Sequence, residues 1–313
     1  MKRLNLSVVK KFLTKSSWSY LAAGAASFII VAIAGLTPVY ERFEYSLYDL
    51  RFKVHPVPDV WQKLVLLDID DSSIVNVGEF PWLRSVYAKG LAVLKNAGAR
   101  NFLFDIQFMD RSPRFADREA LEALKRKAAL GQKVTGEELD AAAADNDGVL
   151  AAGIRSFPGT VLPYSFEKQN LYDDEGTPEG IERARALDLF KKKASVPVPA
   201  GREKEFASCV DSSRVAVHPP IPQVVDAGRR FGFVDSDPGI DGYIRRVRLV
   251  RVFEDRIYFH MALVTIGELT GVTCDKMIIE PGRRIVLPHA LNPATLVRED
   301  IEIPIDGESA IFI

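Results

Sequence analysis

"KLVLLDIDDSSIVNVGEFPWLRSVYAKGLAVLKNAGARNFLFDIQF", residues 63–108, decides the fold. It opens with the apolar run Lys63–Ile69, which predicts a strand that delivers Asp68, Asp70 and Asp71 at its end. "GEFPWLRS" follows as a loop carrying Pro81 and Trp82. Leu83, Val86, Tyr87, Gly90, Leu91 and Leu94 mark one face of a helix, and Gly98 is its natural stop. Arg100–Phe108 then reads as a second strand, apolar on both sides like a buried strand of a parallel sheet. A right-handed crossover makes the two strands parallel and brings their carboxyl ends to one edge. Ligands of open α/β sheets favour that edge. Asp68, Asp70, Asp71 and Asp105 gather there, with Trp82 and Arg84 from the crossover loop, and these six are the candidate ligand or ion contacts.

A plainer reading stays open beside this one. Aspartates at strand ends accept backbone N–H bonds and cap the helices that follow, and Asp71–Ser72–Ser73 has the composition of a helix start. A catalytic reading is also specific enough to test. An Asp-x-Asp after a buried strand resembles the nucleophile and acid–base pair of haloacid-dehalogenase-type phosphohydrolases, with Asp68 and Asp70 in those roles. Such chemistry needs further carboxylates for a metal, usually in a Gly-Asp motif after another strand, and this chain has no Gly-Asp dipeptide.

Upstream, residues 16–40 carry no charge. Trp18–Tyr40, "WSYLAAGAASFIIVAIAGLTPVY", predicts a helix rising about 34 Å, enough for a hydrocarbon core of about 30 Å. Trp18, Tyr20 and Tyr40 stand where interfacial aromatics belong. Lys2, Arg3, Lys10, Lys11 and Lys15 precede the span with no acid among them. The positive-inside rule therefore predicts residues 1–17 in the cytoplasm, 18–40 across the inner membrane and 41–313 outside it. "AIAG" at Ala32–Gly35 keeps a cleaved signal peptide as the alternative, and both readings export the remainder. Phe43, Leu47, Leu50 and Val54 are at helical spacing in "ERFEYSLYDLRFKV", which predicts a juxtamembrane helix over residues 41–54, ended before Pro56.

Downstream, residues 111–156 read as charged helices and "GTVLPYSF" (Gly159–Phe166) as a third strand. Residues 168–220 mix turn residues, a basic helix end and a Pro-rich run, and predict surface excursions. "FGFVDSDPGIDGYIRRVRLVRVF" has two strand-like runs around Pro-Gly and Asp-Gly, and so predicts a hairpin. "RIYFHMALVTIGELTG" reads as a helix closed by Gly271, and the tail as short strands near Met277–Ile279, Ile285–Leu287 and Ala310–Ile313. The fold class expected is α/β: an N-terminal transmembrane helix, then a mixed-sheet extracytoplasmic domain with a βαβ core.

The bulk composition excludes more than it selects. With 41 basic and 42 acidic residues and no basic stripe, nothing points to nucleic acid. The four histidines are scattered, so no metal or cofactor site is expected. Cys209 and Cys274 are too few for a disulfide framework, and an exported pair is left open between pairing and remaining free.

The order of five stretches resembles the second class of the CHASE family, the cyclase- and histidine-kinase-associated sensory extracellular domains. "ERFEYSLYDLRFKV", with Tyr48, Asp49 and Arg51, is similar to the opening helix. "LVLLDIDDSSI" is similar to the first strand and acidic turn. The stretch 78–108, with Pro81, Trp82, Arg84 and Asp105, is similar to the Trp-Pro-Trp-x-Arg loop, helix and Phe-Asp-Ile strand, with Phe80 where Trp is more common. "FGFVDSDPGIDGYIRRVRLV", with Gly242, Arg245 and Arg246, is similar to the later Asp-Gly-x-x-Arg-Arg-Val stretch, and "IEIPIDGESAIFI" to the closing strand. Residues 111–145 and 168–220 stand out as expanded. The resemblance implies a sensor of an unknown small molecule or ion that carries no catalytic machinery of its own. It implies a bilayer and a possible homodimer as partners. It also implies a cytoplasmic output module, a nucleotide cyclase or a kinase, which is not found in these residues. Ending on an apolar strand, the chain reads as a truncation or a short form.

Overall fold

Two units make up the chain, residues 1–68 with 238–243 and residues 69–237 with 244–313. The computed structural model describes residues 15–35, 37–55, 61, 63–78, 80–112, 118–136, 138–139, 143, 145–168 and 177–312.

The first unit holds two helices, α1 (Lys15–Gly35) and α2 (Pro38–Val54). The helix expected over residues 41–54 forms and begins three residues earlier. The expected 18–40 helix is corrected, because α1 stops at Gly35 and α2 starts at Pro38. Proline lacks the N–H that a continuing helix needs and suits the first helical turn. Among the described residues no helix is long and apolar enough to cross a membrane. Residues 238–243 form a turn in which Gly239 N–H bonds the Tyr243 carbonyl at 2.9 Å, and Gly242 adopts φ 84°. Gly239 lies against α2, where an added Cβ would stand 3.1 Å from the Tyr45 ring.

The expected strand Lys63–Ile69 is also corrected. Residues 64–70 form neither helix nor strand among the described residues. Leu64, Val65, Leu66 and Leu67 are exposed, Leu66 at 88%. Apolar composition favours a strand only where a neighbour satisfies its backbone groups.

The second unit begins with α3 (Asp71–Val77) and α4 (Arg84–Asn96), the crossover helix read from its periodicity. Then come β1 (Phe102–Leu103), α5 (Arg118–Ala129), α6 (Asn146–Ser156), β2 (Thr160–Glu167), α7 (Pro178–Ala194), β3 (Ser195–Pro197) and β4 (Ala216–His218). After α8 (Pro222–Ala227) the chain runs through β5 (Arg230–Phe233), β6 (Arg246–Arg248), β7 (Val250–Phe253), β8 (Arg256–Phe259) and α9 (Met261–Thr270). It closes with β9 (Ile278–Glu280), β10 (Arg284–Leu291), β11 (Arg298–Pro304) and β12 (Ala310–Phe312).

β2 is the central strand. β1 pairs with it in parallel (Phe102 opposite Thr160), β5 in parallel on its other side (Tyr164 opposite Phe233), and β4 antiparallel (Ser165 opposite His218). The sheet is therefore mixed, and its parallel connections run from β1 through α5 and α6 to β2, and from β2 through α7 and α8 to β5. The βαβ core stands, but on other strands than residues 63–69. Alternation along β2 divides the core. Leu162, Tyr164 and Phe166 join Leu91, Leu150, Phe190, Val224 and Phe231 on one face. Val161 joins Phe206, Val250, Phe259, Leu263 and Ile285 on the other.

Two glycines permit this packing. A Cβ on Gly159 would sit 2.1 Å from the Arg100 carbonyl oxygen, and one on Gly232 2.4 Å from Met261 Cα at the start of α9.

Three further expectations change. The "FGFV…RRVRLV" hairpin does not form: β5 joins β2, whereas β6 pairs with β12. Residues 177–220 are not only surface excursions, since Phe190, Phe206 and Cys209 are buried in the core. "RIYF" is strand β8, antiparallel to β7, and the helix starts only at Met261. Cys209 and Cys274 are free thiols.

Candidate functional site

Of the six expected contact residues, Asp70, Trp82 and Arg84 make local bonds, and Asp68, Asp71 and Asp105 are exposed. Asp70 caps α3: its Oδ1 accepts from the Ser73 N–H at 2.7 Å and the Ser73 hydroxyl at 2.6 Å. These bonds, the hydroxyl first, hold its carboxyl below the ordinary aspartate range. Asp71 lies exposed in the first turn of α3. Asp68 and Asp105 are exposed. Among the described residues, 63–69 pair with no strand, so Asp68 and Asp70 do not stand at the end of a sheet strand. Asp70→Ala is expected to lower Tm by only about 2–4 °C, as loss of a cap does; thermal unfolding of the full chain checks it.

Trp82 is half-buried. Its Nε1–H donates to the Gly78 carbonyl at 2.7 Å, and its ring stands 6.2 Å from Tyr87. Pro81 precedes it in a cis peptide. Arg84 is buried rather than open to a ligand. Its Nη1 stands 2.9 Å from Asp147 Oδ1 of α6, and it donates to the Asp110 carbonyl. It also stacks over Phe108, 5.3 Å from the ring centroid. Burial lowers its pKa while Asp147 opposes that shift. Arg84 thus ties the start of α4 to the chain after β1 and to α6.

The other motif positions fall on described elements. Tyr48, Asp49 and Arg51 lie on α2, and Gly242 in the 238–243 turn. Arg245 is buried. Arg246 Nε donates to Asp306 Oδ2 at 3.0 Å beside the β6–β12 pairing. Among the described residues no three His, Cys, Asp or Glu side chains are grouped to hold a metal ion.

A different polar cluster occupies the carboxyl ends of the parallel strands. Where β5 ends, Asp235 turns back and both its oxygens accept from Phe166 N–H of β2, at 2.9 and 3.1 Å. A side chain thus satisfies a backbone donor that the departing strand leaves open. Arg251 of β7 is 1% exposed. Its neighbours Val250 and Val252 point into one core cluster, so alternation sends Arg251 the other way, between the rings of Phe166 (5.1 Å) and Phe233 (5.4 Å). Its Nη1 donates to Asp211 Oδ2 at 2.5 Å, and its Nη2 lies 3.9 Å from Asp237. Arg214 donates to the Phe166 carbonyl and to Asp237 Oδ1, each at 3.0 Å. Among the described residues, Nε and Nη2 of Arg251 and Nε of Arg214 are buried without a hydrogen-bond partner.

Electrostatics make this cluster tense. Burial pushes the Asp235 carboxyl up and the Arg251 guanidinium down from their ordinary values. For Asp211 burial works upward too, but the Ser213 hydroxyl and Arg251 together hold its carboxyl low.

A model of the CHASE2 domain matches residues 25–313 of the chain. The chain belongs to the CHASE2 domain family. No curated protein and no solved structure shows significant similarity to it. CHASE2 domains are extracellular and sensory, without catalysis of their own, so this chain is a sensory domain of extracytoplasmic type.

In this CHASE2 domain the polar cluster lies at the carboxyl ends of β2 and β5, and not at the edge formed by residues 63–69 and 100–108 that the sequence singled out. Asp211, Arg214, Asp235, Asp237 and Arg251 were not among the expected contacts. The signal for Asp235 was present: an apolar strand, "FGFV", running into Asp-x-Asp. For Arg251 the signal was an arginine inside the valine-rich run "RLVRVF".

His260 borders the cluster, 5.2 Å from the Phe233 ring, and its Nδ1 accepts from Ala262 N–H at 3.2 Å to cap α9. Burial, then Arg251, push its pKa down to about 4. The unfolded chain therefore binds a proton that the folded domain refuses. This contribution to stability is complete above about pH 6.5 and is lost as pH falls towards 4, about 3 kcal/mol in all. His260→Asn keeps a capping acceptor without the titration, so the variant is expected to lose less stability than the native chain between those pH values in urea unfolding.

Proposed function

We propose that this CHASE2 domain is the membrane-anchored, extracytoplasmic sensing part of a bacterial receptor. Its signal is a small molecule or ion, and its output module, a nucleotide cyclase or protein kinase, works on the other side of the bilayer. The observation that carries the anchoring is the surface of α1. Beyond Lys15 it has no charge, and Trp18, Tyr20, Leu21, Phe28, Ile29, Ile30, Val31 and Ile33 are all exposed. A helix apolar all round is stable only when something apolar surrounds it. Trp18–Gly35 rises about 27 Å, short for an average bilayer, and a short span is accommodated by local thinning and by flanking basic side chains that reach the headgroups. Lys2, Arg3, Lys10, Lys11 and Lys15 supply those side chains and favour a cytoplasmic N-terminus.

Signalling on this reading is a population shift. A ligand that favours one arrangement of the Arg251–Asp211–Asp237–Arg214 network changes the balance between two arrangements of the domain by its difference in affinity for them. Burial with unmatched donors supports the network as the bistable element, because such a cluster gains from any added acceptor.

Membrane fractionation tests the anchoring. The full chain is expected to sediment with membranes and to resist alkaline carbonate, while Ile29→Asp with Ile30→Asp releases it to the supernatant. Carbonate-soluble native chain would overturn the proposal.

A further inference from the structure

One edge of the Arg251 guanidinium has no hydrogen-bond acceptor. Its Nη1 donates to Asp211 Oδ2 at 2.5 Å, and the group packs against the rings of Phe166 and Phe233. Nε–H and an Nη2–H lie side by side on the remaining edge and point the same way. That pair is the fork that a carboxylate fills with its two oxygens. Among the described residues both nitrogens are buried without a hydrogen-bond partner, on a side chain 1% exposed. The neighbouring carboxylates are committed elsewhere. Both Asp235 oxygens accept from Phe166 N–H, and Asp211 Oδ1 accepts from the Ser213 N–H at 3.0 Å and its hydroxyl at 2.6 Å. Asp237 reaches towards the fork and falls short: its Oδ1 accepts from Arg214 Nη2 at 3.0 Å, but its Oδ2 stays 3.9 Å from Arg251 Nη2.

We propose that the Arg251 fork, with the Arg214 guanidinium beside it, is a binding site for a small carboxylate ligand, and that Asp237 fills it incompletely until the ligand displaces it. The proposal rests on the reading of this network as the element on which the signal acts. Asp237 makes half of the contact: one oxygen is bound, and the other stands about an ångström beyond bonding distance. A carboxylate that is not tethered to the chain can bridge both arginines. Asp237 belongs to residues 234–239, which form neither helix nor strand, so its exchange for a ligand leaves the pairing of β2 with β5 in place.

Charge selects the class of ligand. Asp237 contributes one negative charge beside the two guanidinium groups, and a carboxylate restores both that charge and its two acceptor oxygens. A phosphate brings a second charge into a place where burial already pushes the Arg251 guanidinium down and the Asp235 carboxyl up from their ordinary values. The gap is one that a single aspartate side chain nearly bridges, so the binding group is a carboxylate on a short chain. Competition from Asp237 sets the threshold, because the apparent affinity falls with the fraction of molecules whose fork is free.

Acetate is the probe, added to the full chain in detergent micelles at neutral pH, with sodium chloride and sodium phosphate at matched ionic strength beside it. A ligand that binds only the folded state raises Tm with its concentration, so thermal unfolding across an acetate series gives the half-effective concentration. Asp237→Asn keeps the size of the side chain and removes the competing charge. Its half-effective acetate concentration is expected to be at least about fivefold lower than that of the native chain. Arg251→Lys keeps the charge and removes the fork, and is expected to lose the acetate response. An Asp237→Asn response no stronger than the native one, a response retained in Arg251→Lys, or acetate no better than chloride would overturn the proposal. If Arg251→Lys does not fold, the comparison of Asp237→Asn with the native chain decides alone. Phosphate that stabilises in place of acetate would overturn the carboxylate and leave the network as the element on which the signal acts. Hydrogen exchange over residues 234–239 reads the population shift separately: acetate that binds through Arg251 without changing exchange there contradicts the shift and not the site.

Discussion

Asp211→Ala is expected to destabilise the sensory domain by about 3 kcal/mol, far more than an aspartate on a surface turn would. The change leaves the Arg251 guanidinium 1% exposed with its 2.5 Å partner gone. Asp237 is 3.9 Å from Nη2 and largely solvated, so it compensates little. A buried charge that loses its partner keeps the desolvation cost and loses the attraction. Arg251→Met is expected to be costly too, because it removes the cation paired with Asp211 and stacked between Phe166 and Phe233. The double variant is the informative one. With both charges removed and the space filled by an apolar chain, part of the loss returns, giving a coupling of at least about 1.5 kcal/mol. Urea unfolding of the four chains measures it, and additive losses would mean that the two side chains do not act as a pair.

Gly159→Ala is expected to cost about 3 kcal/mol or more, or to prevent folding. The methyl group would meet the Arg100 carbonyl oxygen at 2.1 Å, and that contact is with backbone, which cannot rotate aside. The same peptide supplies the carbonyl that accepts from Phe102 N–H, so relief of the clash breaks the β1–β2 pairing. Gly90→Ala is the control. It lies within α4 with nothing within 4 Å of an added Cβ, and is expected to stabilise by about 0.5–1 kcal/mol through helix propensity alone. Thermal unfolding of both variants gives opposite signs if the packing around β2 is as described.

Local structure was legible where it depends on local chemistry. α4 follows from its 3.6-residue periodicity and ends at Gly98, whose φ of 89° suits glycine. β2 follows from an unbroken apolar run, and α3 from an aspartate three residues before a serine N–H. Pairing was not legible. Residues 63–69 and β1 carry similar apolar composition, and nothing in periodicity says which of them meets β2. β11 was not among the short strands read in the tail, because its burial pattern is dominated by exposed positions, yet its backbone pairs with β10. The site was half legible for the same reason. Alternation says that Arg251 and its valine neighbours face opposite ways, but not which face is inside. Both are, and the arginine became the centre of the cluster.

The account depends above all on the domain standing outside the cytoplasm on an anchor formed by α1. Alkaline phosphatase and green fluorescent protein, each fused after Ile313 of the full chain in a bacterial host, test that directly. The account predicts an active phosphatase and a dark fluorescent protein, because phosphatase folds only in the oxidising periplasm. An inactive phosphatase with a bright fluorescent protein would place the domain inside and contradict it.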